Sequence, residues 1–97
     1  MADKQMILAM LKKAKPSLEK KYGVKELALF GSYSRNTAVA GKSDVDVMVG
    51  FSQPIGLAFV ELADELEALL QLKVDLVSRG GIKPKYFSVI EPDLIYV

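Results

Sequence analysis

The stretch 27-LALFGSYSRNTAVAGKSDVDVMVGF-51 decides the fold of this sequence. An apolar run ends at Gly31 and Ser32, a polar stretch follows, and a second apolar run begins with two acids, Asp44 and Asp46. The second run alternates in side-chain character, which is typical of a strand with one buried face. Two like charges at the start of a buried strand repel each other unless a cation lies between them. The stretch therefore points to a function as well as to a fold.

Periodic patterns on either side of this stretch predict a small α/β domain. Pro16 is expected to break or kink a first helix near Lys15, and Gly23 is expected to end a second helix that begins at Pro16. We expect one domain, residues 1–97, with helices packed on a small mixed β-sheet. The predicted elements are helices over 3–15, 16–22, 57–72 and 85–90, strands over 27–30, 44–51 and 73–78, one or two helical turns within 32–37, and an apolar tail or edge strand over 94–97.

The composition limits the chemistry that the chain can perform. It has no cysteine and no histidine, so catalysis must rest on carboxylates, hydroxyls and cations. No apolar stretch approaches the roughly 20 residues of a membrane span, and we expect a cytoplasmic protein. The net charge of +1 argues against direct nucleic-acid binding. Most of the lysines lie in residues 1–26, which predicts either a solvated helix face or a surface for an acidic partner or nucleic acid.

Three carboxylates are candidates for a metal site. Asp44 and Asp46 are two positions apart in a strand, so they project to the same face, roughly 6–7 Å apart, while Val45 points into the core. Asp75 interrupts the apolar run "KVDLVS" in the same way and can face the pair if the two strands are neighbours. Carboxylate oxygens suit Mg²⁺, and three of them can hold two ions of the kind used in phosphoryl or nucleotidyl transfer.

Gly31, Ser32 and Arg35 are candidates for binding phosphate. Gly31 lets the backbone approach a phosphate closely and adopts unusual dihedral angles without strain. If Ser32 opens a helical turn, its free backbone N–H groups and its hydroxyl favour an anion. Arg35, about one turn further on, suits either a phosphate or a structural carboxylate.

Each of these features also has an ordinary interpretation when it is taken alone. A lone D-x-D pattern is usually a solvated strand end, a lone Gly-Ser is usually a turn, and Asp75 alone could be an exposed acid on an edge strand. The order of the features along the chain and their positions on strands make the combination far more specific.

The stretches "GSYSRNTAVAGKSDVDVMV" and "KVDLVS" together resemble the minimal nucleotidyltransferases of the DNA polymerase β superfamily. The resemblance covers nearly the whole chain and implies a polymerase-β-type nucleotidyltransferase fold. It implies that Asp44 and Asp46 bind two Mg²⁺ ions, and that Asp75 binds the catalytic ion and helps to activate the acceptor hydroxyl. It also implies that Gly31 and Ser32 hold the triphosphate.

Asn36 departs from the pattern of this family, in which many members have glycine after the arginine. Asn tolerates left-handed backbone conformations better than most residues. We therefore expect the turn to be retained.

The resemblance implies an enzyme that moves a nucleoside monophosphate, AMP from ATP, to a hydroxyl. Members of this size resemble antitoxins whose partner is a HEPN-domain toxin, and the acceptor would then be a tyrosine of that toxin. One alternative is a non-catalytic module that binds nucleotide or sequesters the partner. Another is a small-molecule nucleotidyltransferase, for which 97 residues leave little room for an acceptor domain. Homo-oligomerisation is the main rival to a partner protein.

Overall fold

The computed structural model describes residues 3–97 of the chain. These residues form four helices, four strands and two short 3₁₀ turns. In chain order the elements are α1 (Lys4–Tyr22), β1 (Val24–Phe30), α2 (Gly31–Ser34), β2 (Val45–Phe51), α3 (Ala58–Leu70), β3 (Val74–Ser78), a 3₁₀ turn (Arg79–Gly81), α4 (Pro84–Ile90), a second 3₁₀ turn (Glu91–Asp93) and β4 (Ile95–Tyr96).

Helix α1 runs through Pro16 without a break, so the prediction of two separate helices is wrong. The Asp3 side chain accepts a hydrogen bond from the Met6 N–H at 2.9 Å and begins the helix. A proline inside a helix removes one backbone hydrogen bond and costs about 3 kcal/mol. Leu11 and Leu18, one on each side of Pro16, are fully buried, and this burial outweighs the cost because each leucine contributes about 1.5–3 kcal/mol.

Gly23 ends α1, as the sequence predicts. Its φ is 71°, and its N–H donates to the Glu19 carbonyl. A left-handed residue at this position is a common helix ending that favours glycine. The chain therefore turns directly into β1, which carries it toward the functional region.

The four strands form one mixed sheet in the order β3-β2-β1-β4. Strands β1 and β2 are antiparallel, β2 and β3 are parallel, and β4 pairs antiparallel with β1. The parallel pair is possible because α3 returns the chain from the end of β2 to the start of β3. The predicted α/β fold with a mixed sheet is confirmed.

The two faces of the sheet have different roles. One face carries Leu27, Leu29, Val47 and Val49, all fully buried in the hydrophobic core with residues of α1 and α3. Since side chains alternate along a strand, the residues between them point to the opposite face. We call this opposite face the second face. It carries Ala28 and Phe30 of β1, Asp46 and Met48 of β2, and Asp75 and Val77 of β3.

The C-terminal tail completes the sheet, in agreement with the predicted edge strand. The Val97 N–H donates to the Leu27 carbonyl at 2.9 Å. The Lys15 ammonium of α1 donates to the Val97 carbonyl at 2.7 Å. Among residues 3–97 no helix is both long and apolar enough to cross a membrane.

Candidate active site

Two of the three predicted acids are paired across neighbouring strands. Asp46 of β2 is in register with Asp75 of β3 on one side and with Phe30 of β1 on the other. Partners in register have side chains on the same face, so both carboxylates lie on the second face. Asp44 lies one residue before β2 and is exposed, and Val45 is fully buried on the core side. The structure thus brings the acids together as the strand pattern predicts.

The charges of these acids act on one another. Burial, and after it the negative charges of Asp75 and Asp44, raise the pKa of Asp46 to about 6. The positive charge of Arg35 opposes this rise. The raised pKa is the expected result when carboxylates share a site.

The donor set fits Mg²⁺, which takes hard carboxylate oxygens as ligands. As the side chains stand, no group of three or more acidic residues within 3–97 is arranged to hold a metal ion. Asp44 and Asp75 are both exposed, so their side chains can change rotamer toward Asp46 without disturbing the core. A divalent cation would also relieve the repulsion that raises the pKa of Asp46.

Gly31 lies directly against the Asp46 carboxylate. Its φ is +76°, and a Cβ at this position would overlap Oδ2 of Asp46 and lie 2.9 Å from its Cγ. Any other residue would therefore be strained and would also collide with the carboxylate. Gly31 and the Asp46 carboxylate are consequently direct neighbours, which the sequence alone could not establish.

The turn that follows is retained in spite of Asn36. Asn36 has a φ of 61°, the left-handed conformation expected for this position. The Thr37 N–H donates to the Ser32 carbonyl at 2.8 Å and closes the turn.

Arg35 makes the structural carboxylate contact that was one of its two predicted roles. Its guanidinium donates to Oδ2 of Asp93 at 2.6 Å. The Ser34 hydroxyl, which is buried, donates to the Asp93 carbonyl. Ser34 and Asp93 were not predicted, and no local pattern could have identified them because they are 59 residues apart. These contacts hold the Gly31–Ser32 turn, the candidate for binding phosphate, against the C-terminal segment.

A cavity of about 380 Å³ lies on the second face next to the acids. We call it the α4 cavity, because residues of α4 form one of its walls. Asp75 is the only one of the three acids that lines it. Its lining residues are Phe30, Asp75, Val77, Gly81, Ile82, Lys83, Tyr86 and Ile90. This cavity could not be predicted from the sequence, because Phe30 meets the segment 75–90 only in the folded chain.

Arg79 holds α4 and the sheet together on the second face. Its guanidinium pairs with Glu26 of β1 at 3.0 Å and donates to the Tyr96 hydroxyl at 3.2 Å. It also lies 4.7 Å from the centre of the Phe87 ring of α4, a cation–π contact. Gly50 leaves room for the Glu26 side chain, since a Cβ there would come within 2.9 Å of Oε1.

Replacing Arg79 with alanine should weaken the docking of α4. We expect Arg79→Ala to lower the free energy of unfolding by about 1 kcal/mol, because a partly exposed ion pair and a cation–π contact are each worth about half of that or more. Thermal denaturation and hydrogen exchange of the α4 amides measure the effect. Lys85→Ala is the matched control, since Lys85 is an exposed cation of α4 that makes no salt bridge within residues 3–97. Equal stability of Arg79→Ala and Lys85→Ala would show that Arg79 does not hold α4 to the sheet.

The fold is that of a nucleotidyltransferase. Residues 11–97 match the family described as nucleotidyltransferase domain, and the chain belongs to this family. It is 52% identical over 89 residues to MJ0128 of Methanocaldococcus jannaschii, a candidate protein adenylyltransferase, with 90% of each chain covered. It is 42% identical over 84 residues to the protein adenylyltransferase MntA of Thermococcus cleftensis, with 86% of this chain and 84% of MntA covered.

Solved structures of similar fold agree with this assignment. A candidate minimal nucleotidyltransferase has a TM-score of 0.79 and 29% identity over 97% of this chain and 95% of its own. A toxin–antitoxin structure with AMP-PNP has a TM-score of 0.60 and 28% identity over 84% and 61%. An MNT antitoxin in complex with a tri-AMPylated HEPN toxin of Shewanella oneidensis has a TM-score of 0.66 and 24% identity over 96% and 70%, which shows the fold alone. The predicted minimal nucleotidyltransferase, and the predicted class of enzyme, are confirmed.

Proposed function

We propose that this chain is a Mg²⁺-dependent protein adenylyltransferase that moves AMP from ATP to a tyrosine hydroxyl of a HEPN-domain toxin and so acts as its antitoxin in the cytoplasm. The observation that carries the proposal is the convergence of Asp46, Asp75 and Gly31 at one end of the sheet. The names of the relatives support transfer to protein, and the Shewanella oneidensis complex supports the kind of partner.

Each residue of the site has a role in this proposal. Asp44, Asp46 and Asp75 would hold two Mg²⁺ ions, which neutralise charge on the triphosphate and lower the pKa of the acceptor hydroxyl. The Gly31 backbone and the Ser32 hydroxyl would bind the phosphates that leave. Arg35 would keep this turn in place through Asp93 and add a positive charge near the site.

The reaction is a displacement at the α-phosphorus of ATP. The acceptor oxygen forms a bond to this phosphorus, the bond to the β-phosphate oxygen breaks, and pyrophosphate leaves. The proton of the acceptor hydroxyl passes to a carboxylate oxygen of Asp75 and then to water. Asp75 is suited to this role because it is exposed and borders the α4 cavity.

Co-expression with the product of a neighbouring gene, followed by mass spectrometry of the intact partner, tests the proposal. We expect AMP-sized mass increments on the partner, which peptide fragmentation assigns to a tyrosine, and none when Asp44 and Asp46 are both replaced by asparagine. A stable complex without increments would favour a sequestering module instead. Activity on a small molecule without any complex would contradict both.

Replacing Asp75 should separate catalysis from nucleotide binding. We expect Asp75→Asn to lower turnover by about 100-fold or more, the usual contribution of a positioned proton acceptor, with only a small change in the affinity for ATP. Single-turnover transfer and calorimetric titration with a non-hydrolysable ATP analogue measure the two quantities. Equal losses of turnover and of affinity for ATP would show that Asp75 acts only as a metal ligand. No loss of either would show that it is an ordinary exposed acid.

A further inference from the structure

The α4 cavity has a lining that phosphate binding does not explain. Its walls are mostly apolar or aromatic, with Phe30, Val77 and Ile82 among them. Its volume of about 380 Å³ is within the usual range of sites for small organic groups. Neither Gly31 nor Ser32 lines it, so the turn that would hold phosphate borders the cavity only through Phe30, the residue before Gly31.

The order of the strands predicts which of the reacting groups lies next to the α4 cavity. Gly31 follows the inner strand β1, Asp46 lies on the other inner strand β2, and Asp75 lies on the edge strand β3. In a displacement at phosphorus the entering and leaving oxygens are on opposite sides. If pyrophosphate leaves on the Gly31 side, the acceptor enters on the side of Asp75, which lines the α4 cavity.

We propose that the α4 cavity binds the aromatic ring of the acceptor tyrosine, with its hydroxyl at the Asp75 end. This inference rests on the proposed function and adds the site that selects the acceptor. The ring would be buried against Ile82 and Tyr86, and aromatic pairs of this kind contribute beyond the area that they bury. A serine or threonine acceptor would leave the cavity unfilled and would lose this contribution.

The adenosine group is the other candidate occupant, and the geometry disfavours it. Adenosine stays bonded to the phosphorus through its 5′ oxygen during the whole reaction. That oxygen lies off the line between the entering and leaving groups, so the base extends sideways from the Gly31–Asp75 direction. A cavity beside Asp75 therefore suits the group that attacks.

Two matched pairs of variants test the acceptor site by kinetics. Gly81 lines the cavity and Gly80 does not, and a Cβ at either position meets no atom within 4 Å. Gly81→Leu should obstruct the cavity, with Gly80→Leu as its control. Tyr86→Ala should remove one wall, with Val89→Ala as its control, since Val89 is 70% exposed on the same helix and does not line the cavity.

The probes are Mg²⁺, ATP and a peptide that carries one tyrosine, compared with the same peptide carrying serine instead. We expect Gly81→Leu and Tyr86→Ala to raise the KM for the tyrosine peptide about tenfold or more, to leave the KM for ATP within about twofold, and to reduce the preference for tyrosine over serine. The control variants should match the unaltered protein. A raised KM for ATP, or no change in either KM, would overturn the proposal.

A binding measurement keeps this result separate from the proposed function. N-acetyl-tyrosinamide is titrated into the full chain, labelled at its isoleucine methyl groups and saturated with Mg²⁺ and a non-hydrolysable ATP analogue. We expect NMR shifts at Ile82 and Ile90 and none at Ile7, which is fully buried on the other side of the sheet. Shifts without any transfer would contradict the proposed function alone. No shift at Ile82 and Ile90 would overturn the cavity as the acceptor site.

Discussion

The Asp46→Asn variant should lose nucleotidyl transfer and at the same time become more stable without metal. Activity should fall by about a thousandfold or more, because a bound metal ion contributes several kcal/mol of transition-state stabilisation. Stability should rise because the folded protein then no longer holds a partly buried ionised carboxylate, which also lies beside the charges of Asp75 and Asp44. Opposite effects on activity and stability are characteristic of a functional charge cluster.

The pH dependence identifies the cause of the added stability. The pKa of Asp46 is about 6 in the folded protein, above its ordinary value of 3.8. Between these values the folded state binds more protons than the unfolded state, so the stability of the unaltered protein falls as the pH rises from about 4 to 6. Asp46→Asn should therefore gain most above pH 6 and lose its advantage below pH 4. We expect a gain of about 1 kcal/mol at pH 7, a value reduced for the screening of a half-exposed group.

Thermal denaturation in EDTA at pH 4 and at pH 7 measures this gain, which corresponds to about 4–8 °C for a domain of this size. Asp64→Asn is the control, because Asp64 is an exposed acid of α3 outside the site. Addition of Mg²⁺ and a non-hydrolysable ATP analogue should stabilise the unaltered protein and should stabilise Asp46→Asn much less. An Asp46→Asn variant that is less stable than the unaltered protein at pH 7 would show that the carboxylate has a structural role.

Strand periodicity predicts the acids of the site well, because it is a local property. The spacing of Asp44 and Asp46 places Val45 in the core, and this burial is observed. The pairing of Asp75 with Asp46 is not a local property. It depends on β2 and β3 being parallel neighbours in one particular register. The sequence pattern is compatible with that register but does not determine it.

The features that sequence reasoning missed all depend on contacts between distant segments. Arg35 and Asp93 are 58 residues apart, and the local pattern around Arg35 fits a phosphate contact equally well. The interruption expected at Pro16 did not occur, since burial of the neighbouring leucines decides the conformation there. The α4 cavity likewise exists only after α4 docks on the second face through Arg79.

Gly31→Ala should remove nucleotide binding and also destabilise the fold. A residue with a Cβ at a φ of +76° costs about 1–2 kcal/mol in backbone strain. The collision of that Cβ with the Asp46 carboxylate adds about 1–3 kcal/mol, the usual cost of overpacking. Urea denaturation should therefore show a loss of about 2–5 kcal/mol, which is large for a domain of 97 residues. Calorimetric titration with a non-hydrolysable ATP analogue should detect no binding to the folded variant.

Gly41 separates the two contributions to this loss. Its φ is +80°, close to that of Gly31, but a Cβ there meets no atom within 4 Å, so Gly41→Ala should cost only the backbone strain. In an Asp46→Ala background most of the collision is removed, although the Asp46 Cβ still lies 3.1 Å from the position of the added Cβ. Gly31→Ala should then cost about 1–3 kcal/mol less than it does in the unaltered protein. Additive losses in the double variant would mean that Gly31 is required only for its dihedral angles and that its position against Asp46 has no energetic consequence.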